Sequence, residues 1–172
     1  TCRNMIQWAS GIAGRCAVRP KQRNSAPPNG EGTEKMSEQN RRLRAAGIAA
    51  LAWAGLAAVW CVLVPGGAAE LPQGVPGTLR SLLVLPLAEE LVFRGALLRL
   101  LRPLGEHPAN LCQAVLFAAL HGTLTEKCYA LGMGLIFGWA AEQTDSPAPG
   151  VVLHILNNGL VLARALAERG MG

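Results

Sequence analysis

The sequence predicts an all-α fold: a multi-pass integral-membrane helix bundle of about five hydrophobic segments, with its polar site buried between helices. Three observations carry that expectation. Hydrophobic residues make up 51% of the chain and charged residues only 16%, well short of the roughly 25% charged usage of a soluble domain. Residues 45–64 contain no charge at all. Beyond them, apolar segments alternate with short breaks rich in proline, glycine and charge.

With 172 residues, the chain has room for about one domain. Residues 1–44 form a basic tail, with nine Lys and Arg against Glu31, Glu34 and Glu38. Pro27, Pro28, Asn29 and Gly30 interrupt it, and little apolar periodicity accompanies them, so it is expected to be disordered. The chain starts on Thr1, and "MSEQNRRLRAAGIAALAW" from Met36 reads as a natural start. Residues 1–35 are thus expected to be a non-native extension, although five basic residues and no acid up to position 30 also fit a transit peptide. The net charge of +5 resides in this tail and not on a folded face with interleaved aromatics, so no nucleic-acid partner is expected.

The uncharged run, "AAGIAALAWAGLAAVWCVLV", reads as a transmembrane helix. Twenty residues at about 1.5 Å each match the ~30 Å hydrocarbon thickness, and no polar stripe marks a soluble face. Arg41, Arg42 and Arg44 directly precede it, which places the tail in the cytoplasm. Trp53 and Trp60 lie mid-to-late in the span, and Trp60 is expected in an interfacial belt or in plain lipid contact.

Pro65, Gly66 and Gly67 end that helix, and a loop is expected through Thr78. Four apolar segments follow at 79–101, 110–120, 129–141 and 151–165, with breaks at "RPLGEHP" and "EQTDSPAPG". The last three are too short to span alone and need neighbours in a bundle. The five cysteines are odd in number and lack C-x-x-C spacing, so neither a disulfide framework nor a thiolate zinc site is expected.

Ionisable side chains at lipid depth are costly and tend to line a polar cavity. Here they are few: Glu89, Glu90 and Arg94, then His121, then His154 with Asn157 and Asn158. Glu90 and Arg94 stand at i and i+4 in the order that favours an ion pair. Glu89 is rotated by about 100° from Glu90, which leaves it freer to act as a base. Phe117 lies one turn before His121, and His154 one turn before Asn158. A histidine and an asparagine on one face can converge on a developing oxyanion, while His121 can cooperate with Glu89 in deprotonating a water. Taken singly, each has a structural explanation: a satisfied buried histidine, an ordinary ion pair, or, for Asn157, a helix–helix hydrogen bond. Their joint occurrence at lipid depth favours a functional site.

"EELVFR" (Glu89 to Arg94), "FAALH" (Phe117 to His121) and "HILNN" (His154 to Asn158) resemble the E-E-x-x-x-R, F-x-x-x-H and H-x-x-x-N signature of the CPBP family of intramembrane endopeptidases. That family includes type II CAAX prenyl proteases and bacterial proteins linked to bacteriocin self-immunity. The resemblance covers about residues 79–165. It implies a glutamic protease in which Glu89 and His121 activate the attacking water, His154 and Asn158 stabilise the tetrahedral intermediate, and Glu90, Arg94 and Phe117 support the geometry. It implies a peptide or protein substrate, prenylated or not, and a protein embedded in the lipid bilayer, here of a bacterial plasma membrane.

No cofactor is expected, and in particular no obligatory zinc. Glu and His can ligate zinc, but no H-E-x-x-H pair is present. About five apolar segments are fewer than larger CAAX proteases possess, which bears on prenyl-substrate choice more than on peptidase chemistry. The alternative is a non-catalytic membrane protein of bacteriocin self-immunity or scaffolding type. A transporter with a proton relay is a third reading, since intramembrane acids also serve that purpose.

Overall fold

The structure, a computed structural model, describes residues 30–64 and 71–170. Among these every element is helical, and the all-α expectation holds. Helix α1 runs from Gly30–Leu63. Its start differs from the expected disorder through residue 44: residues 30–44 are already helical, and Glu38 accepts hydrogen bonds from Arg41 at 2.9 and 3.0 Å and from Arg42 at 2.9 Å. These i,i+3 and i,i+4 pairs support an exposed helix. Residues 1–29, which hold the transit-peptide reading and most of the extension expected over 1–35, lie outside the described residues.

Beyond Arg44, α1 is rich in Ala and Leu, which favour helix. It leaves Leu51, Val62 and Leu63 at 76%, 82% and 71% exposure. A contiguous apolar surface of this kind suits lipid and would be an aggregation hazard in water.

The expected loop through Thr78 is shorter than the sequence indicates, because α2 begins at Gly74. This helical run is built of Gly74–Leu79, a π-helical turn Arg80–Val84, Leu85–Glu90, a second π-helical stretch Leu91–Leu97, and Leu98–Leu101. Pro76 falls in the first turn, where a missing N–H costs nothing. Pro86 falls inside the run, just after the first π turn, and the wider turn accommodates the donor that proline lacks.

A 3₁₀ turn, Arg102–Leu104, and Gly105 with φ +96° lead into α3, Glu106–Ala119. Helix α4, Leu124–Thr144, opens on a capping box: Thr123 Oγ1 accepts from the Glu126 amide at 3.2 Å, and Glu126 accepts from the Thr123 amide at 2.8 Å. It closes on Asp145 in the left-handed region, and α5, Ala148–Gly170, follows.

The helices overrun the apolar segments of the sequence because polar residues at their ends remain helical. Among the described residues five long helical elements result, and two of them, Gly32–Leu63 and Ala148–Gly170, combine the length and apolarity needed to cross a membrane. The segment 151–165, expected to be too short to span alone, is therefore extended by its helical ends to spanning length. The main core unites Phe93 of α2, Phe117 of α3, Met133 and Phe137 of α4, and Leu153 of α5. Helices α3 and α4 approach closely at Gly134, where an added Cβ would stand 2.9 Å from Ala114 Cα. Gly134 and Gly138 form a small-x-x-x-small pair, the pattern by which membrane helices bring their backbones together.

Trp60 departs from its expected interfacial or lipid contact, and Trp53 also turns inward. Trp53 packs on the core and donates from Nε1 to Asn157 Oδ1 at 3.3 Å. Trp60 lies against Tyr129 with ring centroids 4.5 Å apart. Both rings therefore face α4 and α5.

Candidate active site

Glu90 and Arg94 pair as their spacing indicates. Arg94 Nη1 donates to Glu90 Oε1 at 2.8 Å, and both side chains are fully buried. The guanidinium carbon lies 4.5 Å from the Phe117 ring centroid and 5.5 Å from that of Phe137, cation–π contacts that strengthen once desolvated. Arg94 is therefore fixed by one carboxylate and two rings. It also reaches the Gly134 carbonyl at 3.5 Å, which Gln113 Nε2 approaches at 2.9 Å.

His154 stands between the two glutamates. Its Nδ1 is 3.1 Å from Glu90 Oε1, and its Nε2 is 3.6 Å from Glu89 Oε2. An ionised carboxylate only accepts hydrogen bonds. Glu90 therefore places a proton on Nδ1 and leaves Nε2 directed at Glu89, an assignment made from the partners. Glu89 is the more accessible acid, with its side chain 36% exposed against 0% for Glu90.

His121 sits just past the end of α3, where its amide donates to the Ala118 carbonyl at 3.1 Å. Its Nδ1 lies 3.1 Å from the Phe117 carbonyl. A carbonyl accepts only, so Nδ1 carries the proton and Nε2 keeps the basic lone pair. Phe117 makes T-shaped contacts with both imidazoles, with centroids 5.0 Å from His121 and 5.9 Å from His154. It thus spaces the two histidines.

Asn158 donates from Nδ2 to the Ser81 carbonyl at 2.9 Å, tying α5 to the first π turn of α2. His121, His154 and Asn158 line one cavity of about 590 Å³, bounded also by Trp60 and Cys61 of α1 and by Tyr129 of α4. The structure thus brings three of the four expected catalytic residues to one cavity and joins the fourth, Glu89, to it through His154. Glu89 and His121 are not directly bonded: the polar partner of Glu89 is His154, and that of His121 is the Phe117 backbone.

Three contributors were not singled out by the motifs. Tyr129 donates to Asn157 Oδ1 at 2.6 Å, and the only signal in the sequence was that it is the sole tyrosine. Gly150 lets α5 pass directly over the buried acid, since a Cβ there would collide with Glu90 Oε2; in sequence it reads only as part of a break. Gln113 is a buried amide on α3, between Asn110 and the Gly134 carbonyl. Asn157, read alternatively as a helix–helix hydrogen bond, makes such bonds to α1 and α4. Among the described residues, no three His, Cys, Asp or Glu side chains converge as a metal site.

The family described as "Type II CAAX prenyl endopeptidase Rce1-like" matches residues 71–160. The match spans more than half of the chain and contains all three motifs, and the chain belongs to this family. Neither a curated protein nor a solved structure matches it. Membership carries CAAX-type intramembrane protease activity at the level of the family, whose members act on prenylated proteins in general. With its two apolar helices, it points to a membrane protein.

Proposed function

We propose that this chain is an intramembrane glutamic endopeptidase, hydrolysing a peptide bond by attack of a water that Glu89 and His121 activate. Glu89 takes the proton from the water while the basic Nε2 of His121 holds it. Asn158 then donates to the oxyanion of the tetrahedral intermediate, joined by His154 once Nε2 receives the proton that Glu89 takes from the water, a role in which pre-oriented donors are worth most. The proton shared by Glu89 and His154 Nε2 goes to the leaving amine as the C–N bond breaks.

One observation carries this reading. His154 lies between a buried acid that Arg94 bonds directly and a more accessible acid whose polar partner is His154 itself, at the wall of a cavity shared with His121 and Asn158. The division separates a structural carboxylate from a reactive one. In this reading the substrate is a prenylated protein processed near its C-terminus, the protein resides in a bacterial plasma membrane, and the N-terminal tail faces the cytoplasm. The cut bond can be located by mass spectrometry after incubating detergent-purified protein with matched prenylated and unprenylated peptides. Cleavage at one bond, preferred with the prenyl group, is expected. Cleavage of neither peptide favours the non-catalytic immunity or scaffolding role.

A further inference from the structure

Helix α1 lies outside the region shared with the family, yet it is hydrogen-bonded into the site. Trp53 Nε1 donates to Asn157 Oδ1 at 3.3 Å, and Tyr129 donates to the same oxygen at 2.6 Å. Asn157 Nδ2 in turn donates to Asn158 Oδ1 at 3.4 Å, and Asn158 Nδ2 donates to the Ser81 carbonyl at 2.9 Å. The polar groups thus form a directed chain from α1 and α4 through α5 to α2.

The direction matters because an asparagine amide can flip end for end, exchanging donor for acceptor. An indole N–H can only donate. Trp53 therefore fixes the oxygen of Asn157 toward α1 and its amino group toward Asn158. Asn158 is then held with its own oxygen toward Asn157 and its amino group toward Ser81. Of its two N–H donors, one goes to Ser81 and the other remains for a substrate oxygen at the cavity that Asn158 lines. A flipped Asn158 would present an acceptor to the oxyanion.

We propose that Trp53 and Asn157 are positioning residues that hold Asn158 in its donor orientation, so that α1 completes the site from outside the family core. This rests on the reading of Asn158 as an oxyanion donor. Cys61, Trp60 and Ala57 of the same helix wall the cavity, so α1 bounds the substrate space as well as orienting the amide.

The test pairs Trp53→Phe and Asn157→Leu with Asn158→Ala in detergent-purified full-length protein. The first expected result is that either positioning variant lowers kcat about tenfold, the effect of one lost transition-state hydrogen bond, with KM within about twofold. The second is that neither variant lowers the residual activity of Asn158→Ala further, because both act through that residue. The third is that Trp53→Phe, which removes one N–H and keeps an aromatic ring if Asn157→Leu misfolds, shifts the Asn158 side-chain amide resonance in 15N-asparagine-labelled protein. Equal losses with and without Asn158, or an unmoved resonance, overturn the relay in favour of simple packing. A wild type that cleaves no peptide overturns the functional reading alone, and the resonance then still decides the relay.

Discussion

His154 Nδ1 lies 3.1 Å from Glu90 Oε1, the same oxygen that accepts from Arg94 at 2.8 Å. Removing the charge of Glu90 leaves a fully buried guanidinium without its counter-ion, a loss that costs about 3–5 kcal/mol in buried pairs. Glu90→Gln is therefore expected to lower the melting temperature in detergent markedly. Glu89→Gln, at a more accessible acid that Arg94 does not bond directly, is expected to leave it near that of the wild type. Equal melting of the two variants would contradict the division between structural and reactive acid.

The approach of α5 to Glu90 requires Gly150. Gly150→Ala pushes a methyl group into the Glu90 carboxylate, and overpacking of this kind costs typically about 1–3 kcal/mol. Lower stability and weakened cleavage are expected together, since the displaced acid also carries His154. Gly55→Ala is the control: nothing lies within 4 Å of its added Cβ. It is expected to melt no lower than wild type.

Chelation is expected to leave cleavage unchanged. Glu90 is held by a guanidinium at 2.8 Å, and Nδ1 of His154 is committed to that same carboxylate. A cation placed on this set would have to displace Arg94 and overcome its charge. Cleavage measured before and after chelator treatment, with zinc returned in a third sample, checks this. Loss followed by recovery with zinc would contradict it.

Outside the membrane segments, Asp145 joins α4 to α5. The hydrogen bond from Arg102, 2.8 Å long, holds its carboxyl below the usual carboxylate range. A folded-state value depressed in this way contributes stability above the ordinary aspartate range, near about 3.9, and loses it as pH falls through the folded value. Asp145→Asn retains a residue tolerant of φ +51° and removes only the charge. It is expected to melt slightly lower than wild type at neutral pH, with the gap closing below about pH 4 and in high salt. Asp145→Val adds left-handed strain and should melt lower at every pH.

The sequence made the motifs legible because the partners within each stand four residues apart, a spacing that assigns neighbours. Glu90 and Arg94 pair as i,i+4 requires, and Phe117 meets His121 through its own carbonyl and ring. The placement of His154 between Glu89 and Glu90 was not legible, because it depends on α5 crossing α2 at Gly150. Similarly, Trp53 and Trp60 read only as aromatics of the span until α4 and α5 supplied Tyr129 and Asn157 as partners. The π turns that carry Ser81 and Arg94 leave no periodic trace in an apolar run.

The most direct test of the central claim compares wild type with Glu89→Gln on one cleavable prenylated peptide, at a temperature where both are folded. The account predicts loss of at least about a thousandfold in kcat, the size of losing a general base with its associated transition-state stabilisation. A variant that melts like wild type and cleaves at the wild-type rate would contradict it.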